Sequence, residues 1–148
     1  MILSVNDYLN IGLPLSSDIS ESECELAIKT FEQFSLKSII GTELYTAIVG
    51  DTTHEYDDIV NGTDAVAGLK LAIAHGVFAS MLYDSIRLTR YGSVAKRSDE
   101  SENPKRDDIL AVAKQHAEIS LAFIYEVCEF ADVKPNRDHN SFIFTELV

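Results

Sequence analysis

Basic side chains are scarce in this sequence: 12 Lys and Arg stand against 24 Asp and Glu, a formal net charge of −12 over 148 residues. That balance argues against a general nucleic-acid binder, because a local basic patch would have to overcome phosphate repulsion. Cysteine is scarcer still. Cys24 and Cys128 are too few for a disulfide framework and lack the paired spacing of a zinc site, so both read as core thiols in a reducing compartment. No stretch reaches the roughly eighteen uninterrupted apolar residues of a membrane span, and Met1 to Leu15 lacks the basic start of a signal peptide. The expectation is a soluble chain, not exported by that route and not membrane-bound. No general base, nucleophile and orienting group can be named together, so an enzyme is not expected. Neither is a cofactor or a metal.

What is present is apolar periodicity. Hydrophobic content of 46% is ordinary for a globular protein, and a chain of this length can hide roughly 70% of the surface it exposes when unfolded. A single helical domain over residues 20–131 is expected, with an N-terminal extension over 1–19 and a C-terminal tail over 132–148. Ser20-Glu21-Ser22-Glu23 has the form of a capping box and starts a helix. Leu26, Ala27, Thr30, Phe31 and Phe34 then share one face and carry it to Phe34 or Leu36, before a break at Gly41. Thr42 is expected to cap a short segment that Gly50 ends by adopting positive φ. Another short turn, Glu55 to Val60, stops at Asn61-Gly62, with Thr63 or Asp64 as the next N-cap. The Asn-Gly pair is also compatible with a hairpin turn.

The strongest periodic segment runs from Ala65 to about Arg90. Leu69, Ile73, Val77 and Met81 form one line, and Leu71, Ala74, Phe78, Leu82 and Ile86 a second, so this helix is expected to be buried on more than one side. Gly68, Ala72, Gly76 and Ser80 form a third line of small side chains that invites close backbone packing. A last long helix is expected from Arg106 to Ala131, with Ile109, Ala113, Ala117, Ser120, Ile124, Val127 and Ala131 on its face. Asp107 and Asp108 suit the positive end of its dipole. Leu69, Ile73, Val77, Phe78, Leu82, Ile124 and Val127 are the expected core. The fold class is therefore an all-α helical bundle with two long helices. Between them, residues 91–105 form a loop or a β-hairpin arm, and the apolar stretch Ser141 to Thr145 ends the chain as an extended strand or anchor.

Several constellations resolve into ordinary roles. His54, Glu55, Asp57 and Asp58 match no metal spacing and read as a solvated acidic helix start. His75 and His116 sit on the two long apolar helices, where they can face each other across a bundle, and read as hydrogen-bonded core or edge histidines. Ser93-Val94-Ala95-Lys96 has the spacing of a serine–lysine pair without its accompanying elements, in a loop too polar to depress the lysine pKa. Tyr45, Tyr56, Tyr83, Tyr91 and Tyr125 supply core rims or interface anchors. Charge distribution is the unusual feature. Residues 1–58 carry 2 basic and 11 acidic groups, net −9, whereas residues 87–106 carry 6 basic and 3 acidic, net +3. Such a two-ended chain suits a heterologous contact in which the basic arm of one copy meets the acidic half of the next, a geometry that closes into rings.

One order of motifs adds to this reading. Ile39-Ile40-Gly41-Thr42-Glu43-Leu44-Tyr45-Thr46-Ala47-Ile48 is followed by Tyr56-Asp57-Asp58-Ile59-Val60 and Gly68-Leu69-Lys70-Leu71-Ala72-Ile73-Ala74-His75-Gly76-Val77-Phe78. Thr89-Arg90-Tyr91-Gly92-Ser93-Val94 then leads into the final helix. Over about Phe31 to Phe130 this resembles the head-tail connector, or adaptor, proteins of tailed bacteriophages, particularly those of Bacteroides-like hosts. The resemblance implies a helical subunit made in the bacterial cytoplasm and assembled at the head-tail junction of the virion. There it commonly forms a homo-oligomeric ring of twelve copies beneath the portal protein, which extends the DNA channel, supports the next tail or ring protein and does no chemistry. An acidic wall fits a channel through which DNA slides without sequence-specific binding. By position, Arg87, Arg90, Tyr91, Lys96, Arg97, Lys105 and Arg106 are expected at the subunit or portal contact, and Phe142, Ile143 and Phe144 at tail docking. The alternative from another class is a small acidic DNA mimic that inhibits a host nucleic-acid-binding protein.

Overall fold

Ser4 opens the first helix, α1 (Val5–Ile11), with a reciprocal cap: its Oγ accepts the Asp7 N–H at 3.1 Å while the Asp7 carboxylate takes the Ser4 N–H at 3.4 Å. Leu3 and Tyr8 hold the two staple positions around that cap, and both are fully buried. The first nineteen residues are therefore more than an extension, since Ile2, Leu3 and Tyr8 belong to the core. The computed structural model describes residues 1–15, 19–90, 106–138 and 144, with side chains left out for 86–90.

Helix α2 (Glu21–Phe31) begins at the expected box, where Ser20 N–H donates to Glu23 at 2.7 Å and Glu23 N–H donates to Ser20 Oγ at 3.3 Å. Its buried face differs from the sequence-derived one. Cys24, Ile28 and Phe31 point inward, whereas Leu26 and Phe34 are 65% and 73% exposed. The buried face, Cys24, Ile28, Phe31 and then Ser35, keeps regular helical spacing and lies one residue step around the helix from the face through Leu26, Thr30 and Phe34. A π-helical turn over Glu32–Leu36 continues the helix without interruption into α3 (Lys37–Ile40), with Glu32, Ser35 and Leu36 buried.

Gly41, at φ +86°, breaks the run as expected. Thr42 is the first residue of α4 (Thr42–Val49) rather than its cap, because the Gly41 carbonyl already accepts the Tyr45 N–H at 3.1 Å. Gly50 ends α4 at φ −88°, not at positive φ: its N–H continues the ladder to Thr46 O, and the chain leaves through Asp51. The Asp51 carboxylate then organises the next loop by accepting the Thr53 N–H at 2.8 Å and the Tyr56 N–H at 3.0 Å. Those donors hold its pKa below the usual carboxylate value. Helix α5 (Asp57–Asn61) stops at Gly62, as the Asn-Gly pair suggested.

Neither Thr63 nor Asp64 caps the long helix. Thr63 and Val66 close a small turn through a β-bridge, and α6 (Leu69–Arg90) starts four residues later than expected. Gly62 and Gly68, both at positive φ, approach so closely that a side chain at either would overlap the other strand of the turn. Helix α7 (Arg106–Phe130) matches its expected span, with Ala113, Ala117, Ser120, Ile124, Val127 and Cys128 buried. Contacts at Ala67–Glu126, Ala72–Ser120 and His75–His116 show that α6 and α7 run antiparallel. The whole is an all-α bundle, with no strand among the described residues beyond that one bridge. Of the expected core, Leu69, Ile73, Val77, Ile124 and Val127 are fully buried, while Phe78 and Leu82 are half-buried at the rim.

Two packing devices fix the bundle. At Gly76 the absent side chain makes a notch: a methyl group there would overlap the Phe31 ring and come within 2.8 Å of Ser120 Oγ. Ser120 in turn donates to the Ala72 carbonyl at 2.7 Å, a bond between the two long helices. The second device is Glu32, a carboxyl group only 1% exposed and in none of the ion pairs among the described residues. It accepts the Ile2 N–H at 2.8 Å, the Leu3 N–H at 2.9 Å and the Tyr45 hydroxyl at 3.0 Å, and so joins the N-terminal segment, the π turn and α4. Burial and the neighbouring Glu32 charge push the Tyr45 hydroxyl up to about 12.

Glu32→Gln puts an amide NH2 among three donors, and the expected cost is about 3 kcal/mol of folding stability in urea titration. An unchanged midpoint would contradict the role of the carboxylate. Tyr8 offers the opposite case. Its buried hydroxyl has no hydrogen-bond partner among the described residues, so Tyr8→Phe is expected to leave the thermal midpoint unchanged or raise it.

Candidate functional site

The sequence-derived contact residues fall at one end of the α6–α7 hairpin. Arg87 and Arg90 lie in the last turn of α6, and Arg106 opens α7 as an exposed residue. Tyr91, Lys96, Arg97 and Lys105 lie outside the described residues, as do Phe142 and Ile143. The expectation of a loop or hairpin arm over 91–105 also falls there. Phe144 is a correction to the docking role given to the tail. It is 4% exposed and meets Phe31 edge to face at a centroid separation of 5.9 Å, so its ring is used within the chain's own core. The physical reason is that Phe31 fills the Gly76 notch and leaves an aromatic edge to be covered.

Opposite charge gathers along α2. Glu21 and Glu23 are exposed in its first turn, where the helix dipole favours them, and the Ser20 backbone and hydroxyl hold the Glu23 pKa below its ordinary value. Beside them a cavity of about 380 Å³ opens between α2 and α6, lined by Ile19, Leu26, Ala27 and Met81, with Glu23 and Asp84 at its polar edge. Sequence reasoning missed this groove because it placed Leu26 on the same helix face as Phe31, whereas Phe31 is buried and Leu26 faces out. Leu26 and Phe34 are instead the most exposed large apolar side chains among the described residues. Isolated exposed apolar residues such as Phe34 are common, but Leu26 on the wall of a groove beside Glu23 and Asp84 forms a surface suited to contact.

The histidines expected to face each other do so. His75 Nδ1 and His116 Nδ1 are 2.8 Å apart, with ring centroids at 4.8 Å and planes inclined by 22°. Each ring nitrogen sits only about 1 Å from its ring centre, so these values require the rings to meet edge to edge and nearly coplanar. They do not lie face over face. Phe78 packs edge-on to His116 and Phe123 edge-on to His75. Burial, and then the charge of His116, lower the His75 pKa to about 4, and burial lowers that of His116 as well.

The other polar candidates gather no comparable geometry. His54 lies 3.3 Å from Asp57 at an exposed position, and no three His, Cys, Asp or Glu side chains converge as a metal site among the described residues. Cys24 and Cys128 are both buried, and burial raises both thiol pKa values, Cys128 to about 11, which disfavours the reactive thiolate. No helix is long and apolar enough to cross a membrane among the described residues.

Because Leu26 and Phe34 contribute little to the core, Leu26→Ser with Phe34→Ser is expected to change folding stability by no more than about 0.5 kcal/mol per site. Calorimetry showing a loss several times larger would return these residues to the core.

Comparison with known proteins adds one finding. No curated protein and no solved structure matches the chain. A family model, described as a family of unknown function, DUF6712, matches residues 36–134, from the π turn through α7 and just beyond it. That span is about two thirds of the sequence and includes the hairpin, the Gly76 notch and the histidine pair; the chain belongs to the DUF6712 family.

Proposed function

We propose that this protein is a structural subunit of a tailed-phage virion, which assembles head to tail into a ring adaptor between the portal and the tail. The observation that carries the reading is the separation of charge along the sequence, net −9 over residues 1–58 and net +3 over residues 87–106. The acidic first turn of α2 adjoins an apolar groove that reaches Asp84 and Ser85 of α6, and the basic sequence 87–106 begins and ends at the tip of the α6–α7 hairpin. Complementary patches on different parts of one chain make a heterologous contact, which closes into a ring when the rotation per subunit divides a full turn. The ordered motifs from Ile39 to Val94 support the same reading through their resemblance to connector proteins.

Such a ring would line a channel for DNA, where a net charge of −12 disfavours adhesion of the duplex. The protein's own contribution is then positional: a rigid hairpin presents one contact, and α2 presents the other. A DNA-mimic inhibitor would make less use of a basic span of net +3 at the hairpin tip.

Charge reversal tests the contact. Lys96→Glu with Arg97→Glu, and separately Arg106→Glu, are expected to weaken self-association or portal binding at least tenfold in sedimentation or native mass spectrometry, with a smaller effect at high salt. Assembly at wild-type concentration in both variants would overturn the proposed role of the basic span.

A further inference from the structure

The histidine pair is a polar contact in the α6–α7 seam whose bonding depends on protonation within ordinary laboratory pH. A hydrogen bond between two Nδ1 atoms needs one donor and one acceptor, so at least one ring must be neutral. The pair therefore holds no extra proton, or one. A second would set two imidazolium N–H groups against each other at 2.8 Å, between the edges of Phe78 and Phe123.

No carboxylate stands by to stabilise the charge. Among the described residues neither ring makes an ion pair, and the charged groups on the helices packed against α6 and α7 are engaged or remote. Asp7 of α1 pairs with Lys70, Glu25 of α2 pairs with Lys29, and Glu32 is taken up by Ile2, Leu3 and Tyr45. Lys37 of α3 lies over the Tyr45 ring, and Asp57 of α5 faces His54. Glu118 and Lys114 of α7, two residues either side of His116, are exposed. The seam also lacks slack to absorb a repulsion. Gly76 adjoins His75 and Ser120 lies one turn beyond His116, and these two residues bound the notch filled by Phe31.

We propose that the His75–His116 contact is a proton-operated latch on the α6–α7 hairpin: closed while the pair shares one hydrogen bond, and forced open when both rings are protonated. The sign follows from the neutral form being favoured in the folded state. The latch contributes its full stability above the unfolded histidine value of 6.5 and loses it as pH falls from there through the depressed folded value, about 4 for His75.

Hydrogen exchange on the full chain at pH 7.5, 5.5 and 4.5 tests this, with the double variant His75→Phe with His116→Phe as the comparison because Phe keeps the apolar packing and removes both titrating rings. After correction for intrinsic exchange, wild-type protection at 72–79 and 113–120 is expected to fall at least tenfold between pH 7.5 and 4.5, with little change in the variant. Equal losses in both proteins would overturn the latch. Should the double variant fail to fold, ring-proton NMR titration of the wild type decides: His75 and His116 are expected to titrate below 6.5 in two coupled steps, whereas two independent titrations near 6.5 would overturn it.

Discussion

The closeness of α6 to α7 is the constraint on which the other elements depend. Gly76 lets the Phe31 ring enter between the long helices, and Ser120 ties α7 to the α6 backbone at the same level. With Phe31 placed, α2 has a fixed orientation, the π turn follows it, and Phe144 gains an aromatic edge to cover. A Cβ at position 76 would have to displace a buried ring, and a close-packed interior offers little room for that shift.

The π turn connects that seam to the rest of the chain. It opens with Glu32, one turn beyond buried Ile28 and facing the interior, where three donors from two otherwise separate segments converge on it. Two of those donors are backbone N–H groups just before α1, which have no partner of their own within that helix. A buried carboxyl group thus does what an apolar residue cannot: it fixes the direction in which the N-terminal segment enters. Its acceptor capacity is matched by these three donors, and the Tyr45 hydroxyl in turn accepts from Gln33 Nε2 at 3.0 Å.

The sequence shows the elements more clearly than their faces. Ser20-x-x-Glu23, Gly41 and the Asn61-Gly62 stop each act locally, and local signals are what a single sequence carries best. The line Gly68, Ala72, Gly76, Ser80 also announced close packing, and Gly76 shows why. By contrast, the face through Leu26, Thr30 and Phe34 and the buried face through Cys24, Ile28 and Phe31 are neighbours on one helix, and both carry apolar residues at helical spacing, so periodicity alone does not choose between them. Helix α1 was overlooked because its cap uses Asp7 in place of the longer Glu, although Leu3 and Tyr8 stand at staple positions. The two long helices made the histidine pair legible as a possibility, but only their antiparallel register brings Nδ1 to Nδ1. The groove between α2 and α6 was not legible, since it exists only because Leu26 faces out.

These features describe a rigid interior with chemically distinct surfaces, which suits a protein that acts by position. The hairpin is braced at mid-length by the notch, the Ser120 bond and the histidine contact, and the groove beside the acidic α2 opens along the part of α6 that leads to the basic tip. Quantitative mass spectrometry of purified tailed-phage particles that encode this chain tests that position most directly. A fixed ratio near one copy per portal subunit is the result expected of a ring adaptor; absence from the particle, with the protein confined to infected cells, would contradict it.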